Sequence, residues 1–278
     1  MQNLRKNLNK VIKVSVPCVG LKEHKAIKEV FLNGKFVSGK NVDLFEKNFA
    51  KYVNTKYACA VNSGTAALHT ALKCLNLKKN DQVIVPSISF MSTATAVLQN
   101  GNIPVFCDVN IDDYCLDPQD LERKINKKTK AIIVVHFAGN VCEMNPILKI
   151  AKKNKIKIIE DCAQSHGSKY KNKKVGNFSD ISCFSFYATK HMTTGEGGIL
   201  CFQNKKYNHI AKKFRNHGLK NRDEHEILGF NYRMNEIAGI MGNVQLKSLD
   251  KINKKRINNS IKIINELNKI KQNWFQTQ

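Results

Sequence analysis

Little in this chain interrupts regular structure. Its 278 residues include five prolines, fifteen glycines and one tryptophan, which excludes collagenous and low-complexity folds. No apolar run approaches the roughly eighteen residues of a membrane-spanning helix, so no membrane partner is expected. The N-terminus, MQNLRKNLNKVIKV, is basic but lacks the apolar run of a secretion signal. Nine cysteines form no C-x-x-C pair, and eight histidines show no H-E-x-x-H spacing. Neither a metal site nor a disulfide framework is expected. Most cysteines sit in apolar runs, as Cys59, Cys107, Cys183 and Cys201 do. They read as small buried hydrophobes in a reducing compartment, so the expected location is cytoplasmic.

Acidic residues are scarce: 22 against 46 lysines and arginines, a formal charge of +24. A basic surface can attract nucleic acid, anionic lipid or a phosphorylated small molecule. Here the lysines are spread throughout, in KKN, KINKKTK, AKKNKIK and KYKNKK. No aromatics interleave with them and no nucleic-acid module stands out. They read as solvated faces, and no specific nucleic-acid partner is expected.

What is present is a globular composition, 42% hydrophobic and 24% charged. From Tyr57 onward, short β-branched runs alternate with helical patterns. YACAV, QVIVP, IPVFCDV, AIIVVHF and KIIED read as strands. Helices are expected at SGTAALHTALKCL, FMSTATAVLQNG, DPQDLERKI and NPILKIAKKN. Repeated units of this length predict an α/β fold with a mostly parallel sheet covered on both faces. DISCFSF and GGILCF follow as two further apolar runs, then a helix from about Lys205 to His217 and a polar loop over Gly218–Tyr232. Two helices, Asn235–Leu249 and Lys251–Lys269, are expected to close the pattern.

Three motifs carry chemistry. Asn62-Ser63-Gly64-Thr65 lies at a strand end and opens a helix, where backbone N–H groups can receive a phosphate; it also reads as a plain capped helix start. Glu160-Asp161, with Gln164, lies at the carboxyl end of a strand, where ligands of parallel sheets sit. An acid there can hold a cationic ring nitrogen or cap a helix. Ser185-x-x-x-x-Lys190 precedes the glycine-rich TTGEGG. A lysine between an apolar strand and such a turn can be desolvated and form a Schiff base. Lysine, distant acid and phosphate cradle together suit pyridoxal phosphate. His136 reads either as a histidine near the site or as a satisfied strand-end side chain. Gly218 reads as a helix C-cap.

In this order, NSGTAAL, PSISF, EDCAQSHGS, FSFYATKHMTTGEGG and FNYRMNEIAG resemble the DegT/DnrJ-type nucleotide-sugar aminotransferases. The resemblance runs from about residue 14 to 250. It implies the aspartate-aminotransferase fold, with a mixed, mainly parallel seven-stranded sheet between helices. It implies pyridoxal 5′-phosphate (PLP) as cofactor and amino-acid and nucleotide-sugar substrates. Lys190 matches the lysine that carries the cofactor and shuttles a proton. Asp161 matches the acid paired with the ring nitrogen, and Gln164 the side chain near the ring hydroxyl. Gly64, Thr65 and Ser185 match the phosphate cradle, and Phe90 the stacking aromatic. Asn231 matches a loop that reaches the neighbouring subunit's phosphate, which implies a homodimer. Some relatives carry histidine instead of the lysine and act as dehydratases; here Lys190 is present and His191 is only beside it. Glu196 in the G-E-G-G turn resembles members that aminate C4 of a 4-keto-6-deoxy sugar. The implied organisation is an N-terminal arm and first helix over 1–30, a PLP-binding large domain over 31–250, and the start of a linker helix over 251–278. The small C-terminal domain is expected to be missing, which leaves an inactive PLP-binding homologue as an alternative.

Overall fold

A computed structural model describes residues 15–269. The first part of the expected N-terminal arm and Trp274 lie outside the described residues. Two helices precede the sheet. Helix α1 (Leu21–Asn33) ends where Gly34 turns left-handed at φ 63°. Helix α2 (Lys40–Val53) has no local side-chain cap. Its opening amides are satisfied from afar: Glu236 accepts from the N–H groups of Gly39, Asn41 and Val42 at 2.9–3.1 Å. A carboxylate at a helix N-terminus also opposes the helix dipole.

The alternation then follows the sequence reading. Strand β1 (Tyr57–Val61) leads to α3 (Gly64–Cys74), and β2 (Gln82–Pro86) to α4 (Ser92–Gln99). Strand β3 (Ile103–Cys107) leads to α5 (Pro118–Lys124), β4 (Thr129–Val135) to α6 (Met144–Asn154), then β5 (Lys157–Asp161). Ser63 caps α3 by accepting from Ala66 N–H at 3.0 Å, and Asp117 caps α5 by accepting from Gln119 N–H at 2.9 Å. After a small hairpin, β6 (Lys169–Tyr170) and β7 (Lys173–Lys174), come β8 (Ile181–Ser185), β9 (Gly198–Phe202), α7 (Lys205–Phe214) and α8 (Glu236–Lys269).

Seven strands form one sheet in the order β1-β9-β8-β5-β4-β2-β3. Only β9 runs against the rest. Side chains alternate between two faces. Cys59, Val61, Val83, Val85, Ile133 and Ile159 pack with α3, α4 and α7. Ala58 and Ala60 face α2 and α8, while Ile84, Ile132 and Ile158 face α6. The expected seven-stranded, mainly parallel sheet between helices is therefore present.

Three details differ from the sequence reading. The two closing helices are one helix of 34 residues. Leu249-Asp250-Lys251 contains neither glycine nor proline to stop it, and the Tyr52 hydroxyl anchors Asp250 at 2.6 Å. What changes there is burial: Leu249 is buried and most later side chains are exposed, so the pattern changes while the helix continues. Helix α7 stops at Phe214, because His217 and Gly218 take positive φ of 55° and 74°. Gly218 is required by a close approach as well as by the turn, since a Cβ there would lie 1.7 Å from the Ile227 carbonyl oxygen. The β6–β7 hairpin lies within the lysine-rich KYKNKK, where charge conceals the two short strands. Eight of the nine cysteines are buried, Cys18 being exposed. Among the described residues, no helix is long and apolar enough to cross a membrane.

Candidate active site

Because β1, β2, β4, β5 and β8 are parallel, their carboxyl ends share one edge of the sheet. A cavity of about 520 Å³ opens there. Ser63, Gly64 and Thr65 enter it from the start of α3, Ser89 and Phe90 from the segment after β2, and Asp161 and Gln164 from the end of β5. Ser185, at the end of β8, and Lys190 complete the wall with Tyr187, Thr189 and Glu196.

The cradle is built by close packing. A Cβ on Gly64 would lie 2.7 Å from the Ser185 Cβ, and one on Gly198 would lie 2.2 Å from the Ser63 carbonyl oxygen. The backbone of α3 thus approaches β8 and β9 as only glycine permits. Ser63 takes the N–H of Ala66 in its first turn, while Gly64 and Thr65 line the cavity at the helix start, the kind of place where an anion can bind. Gly198→Ala is expected to push Ser63 and Gly64 out of place. It should cost about 1–3 kcal/mol through overpacking, read as a lower thermal midpoint of the apo-protein.

Asp161 is 5% exposed. Its Oδ1 accepts from Ala163 N–H at 3.1 Å, and its Oδ2 from the Thr93 hydroxyl at 3.2 Å. Thr93 in turn meets Ser89 Oγ at 2.7 Å. Burial pushes the Asp161 carboxyl above its ordinary range, against those two bonds and the charge of Lys190. Burial likewise lowers the Lys190 amine, against the attraction of Asp161. Two opposite, partly desolvated charges therefore act on one cavity. Gln164 Oε1 accepts from Ala138 N–H at 2.7 Å, which leaves its NH2 as the donor for the cavity. Phe90 is 73% exposed and offers its ring as part of the wall.

Seven of the eight expected site residues thus line one cavity. Asn231 does not. It is exposed, and its carbonyl oxygen accepts from Asn62 Nδ2 at 3.2 Å. His191 is also off the wall, its ring 5.6 Å from that of His166. Burial keeps both imidazoles uncharged, pushed down to about 3 for His166 and about 4 for His191. Sequence reasoning missed Ser89 and Thr93. Ser89 was within reach, inside PSISF. Thr93 gives no sign in an apolar helix, and only the fold brings it to Asp161.

A family model, the DegT/DnrJ/EryC1/StrS aminotransferase family, matches residues 17–278. The chain belongs to this family. A GDP-perosamine synthase of Escherichia coli O157:H7 is 38% identical over 245 residues, covering 87% of this chain and 67% of that protein. Among solved structures, Helicobacter pylori PseC, an aminotransferase of pseudaminic acid biosynthesis, superposes with a TM-score of 0.87 at 34% identity. That match covers 91% of this chain and 69% of PseC. A GDP-4-keto-6-deoxymannose-3-dehydratase with a trapped PLP–glutamate species gives 0.82 at 30% identity, covering 86% and 68%. The chain spans about two thirds of the length of these relatives.

PLP is the cofactor of the DegT/DnrJ/EryC1/StrS enzymes, and the donor set here fits it. A buried carboxylate suits a protonated ring nitrogen, a helix N-terminus a phosphate, and an amide NH2 a ring hydroxyl oxygen. An amine of lowered pKa suits the aldehyde.

Proposed function

We propose that residues 31–250 of this chain form the PLP-binding domain of an aminotransferase that moves an amino group from L-glutamate to a nucleotide-diphosphate sugar. The acceptor is C4 of a 4-keto-6-deoxyhexose, and the product is an amino sugar for a surface polysaccharide such as O-antigen. The observation that carries this reading is the placing of Lys190 and the buried Asp161 on one cavity above the α3 N-terminus. Relatives named for perosamine and for 4-amino-4,6-dideoxy sugars support the substrate class, and the resemblance of the G-E-G-G turn, whose Glu196 lies on the wall, to members that aminate C4 supports that position.

Bound PLP supplies an aldehyde for the donor amine and a ring that accepts electrons. The protein supplies the rest. Lys190 Nζ, its pKa lowered by burial, would hold the cofactor through its aldehyde and serve as the base that takes and returns the donor Cα proton. Asp161 holds the proton on the ring nitrogen. The amides of Gly64 and Thr65, with the Ser185 hydroxyl, would hydrogen-bond the phosphate. Gln164 donates to the ring hydroxyl oxygen and Phe90 stacks on the ring. Asn231, exposed and off its own cavity, would reach the site of a second subunit in a homodimer, and the buried free cysteines suit the reducing cytoplasm. A dehydratase shares the fold, but Lys190 favours amination.

The test is the visible spectrum of the purified protein with PLP, before and after borohydride, with peptide mapping. The expected result is one reduced adduct, on Lys190, and formation of 2-oxoglutarate from glutamate. A stable adduct elsewhere, or none from folded protein, overturns the reading. 2-Oxoglutarate formed together with free ammonia and a deoxygenated keto sugar, with no amino sugar, would select the dehydratase.

A further inference from the structure

We propose that Glu160 and His136 are positioning residues for Asp161, a buried carboxylate–imidazole dyad behind β5 that fixes where the Asp161 carboxylate stands. The inference rests on the reading of Asp161 as the partner of the ring nitrogen.

Glu160 and Asp161 are consecutive on β5, so their side chains leave opposite faces of the sheet. Asp161 faces the cavity and Glu160 faces away. The Glu160 and His136 side chains are both 0% exposed. Glu160 Oε1 accepts from His136 Nε2 at 3.1 Å and from Gly176 N–H at 2.8 Å. Its Oε2 accepts from Phe178 N–H at 3.0 Å, from Ser179 N–H at 3.1 Å and from the Ser179 hydroxyl at 2.8 Å. One carboxylate therefore ties β5 to the end of β4 and to the loop that leads into β8. Those strands carry Asp161 and Ser185.

The tautomer follows from the donors. A backbone N–H can only donate, and Cys142 N–H points to His136 Nδ1 at 3.3 Å. The other nitrogen, Nε2, then carries the hydrogen and donates to Glu160. The His136 backbone N–H donates to the Asp161 carbonyl oxygen at 3.2 Å. The same histidine thus fixes the back of β5 through its ring and the Asp161 peptide through its main chain.

The donor atoms of His136, Glu160 and Cys162 lie within 4.8 Å of one another, a spacing that a metal could span. Their chemistry argues against one. The Glu160 oxygens and both His136 nitrogens are engaged, and burial holds the Cys162 thiol protonated, well above its ordinary range. Burial raises the Glu160 carboxyl, but His136, Gly176 N–H and Ser179 outweigh it and hold the group below its ordinary range. The titratable groups around Asp161 are Lys190 across the cavity, His136 and Glu160 behind it, and the protonated thiols of Cys162 and Cys183.

The test compares wild type, His136→Leu and His136→Gln. It reads the dissociation constant for PLP, the pH midpoint of the bound cofactor's absorption and the melting of the apo-protein. Leucine removes the donor to a charged acceptor, and about tenfold weaker PLP binding is expected, with a shifted absorption midpoint. Glutamine can return an N–H to Glu160 and should restore both. A folded His136→Leu protein with wild-type affinity and midpoint overturns the proposal, as does glutamine as defective as leucine. Should the leucine variant not fold, Ser179→Ala removes one donor from Glu160. It should shift both readouts in the same direction by less, and no shift overturns the dyad. A wild-type protein that binds no PLP removes both this inference and the reading beneath it; PLP binding indifferent to His136 and Ser179 removes the dyad alone.

Discussion

Lys190→Ala is expected to leave a folded protein with no borohydride-trapped adduct and with amino transfer reduced by about 10²–10⁴-fold. The fold does not depend on this side chain. Lys190 is half-buried, and among the described residues its amine makes no hydrogen bond or ion pair, only the longer-range attraction of Asp161. Burial lowers its pKa, so the folded state holds the charged amine less readily than the unfolded chain does. Near neutral pH that difference costs stability, and removing the amine relieves it. The apo-variant should therefore melt no lower than wild type. A variant that retains wild-type turnover would remove Lys190 from the chemistry. A loss of activity with a matching loss of folding would show a structural effect instead.

Asp161→Asn should separate stability from cofactor binding. The native carboxyl titrates above its unfolded value, chiefly through burial. An acid with a raised native pKa is unfavourable once pH exceeds its unfolded value, and the cost is relieved as pH falls through that range. Asparagine keeps one oxygen for the Ala163 N–H, turns its NH2 toward the Thr93 hydroxyl, which can accept, and removes the charge. The apo-variant is expected to melt higher than wild type at pH 7, and the gap should close in acid. PLP affinity should fall in the opposite sense. Truncating one side of a buried, hydrogen-bonded charge pair costs about 2–5 kcal/mol, or roughly 30- to 5,000-fold. Calorimetry of the apo-proteins and PLP titration measure the two effects. Equal PLP affinity in both proteins would mean that Asp161 does not hold the ring nitrogen.

Most of the sheet was legible because parallel strands buried on both faces leave continuous apolar runs, as QVIVP and AIIVVHF do. Ser63 and Asp117 were legible as caps for the same local reason. The cavity residues were legible as a set of motifs, each ambiguous alone. Interactions remote in sequence were not legible. Thr93 under Asp161, Glu236 at the start of α2 and Glu160 within its five donors depend on chain segments far apart. The unbroken α8 was hidden for a different reason. Hydrophobic pattern reports burial, and past Leu249 the helix leaves the body that buries it.

The position of β1 bears on how the protein is made. Tyr57 lies opposite Phe202 and Val61 opposite Gly198, so the first strand of the sheet takes the last as its strand partner. A ribosome that has released β1 through β8 still lacks its partner. Closing so long a loop is entropically slow and leaves an edge exposed meanwhile. Ser63 and Gly64 cannot settle against Gly198 until β9 has entered between β1 and β8. The junction of the α3 start with β9 is therefore a late product of folding, and a chain cut before Gly198 would carry Ser63 and Gly64 without the strand they pack on.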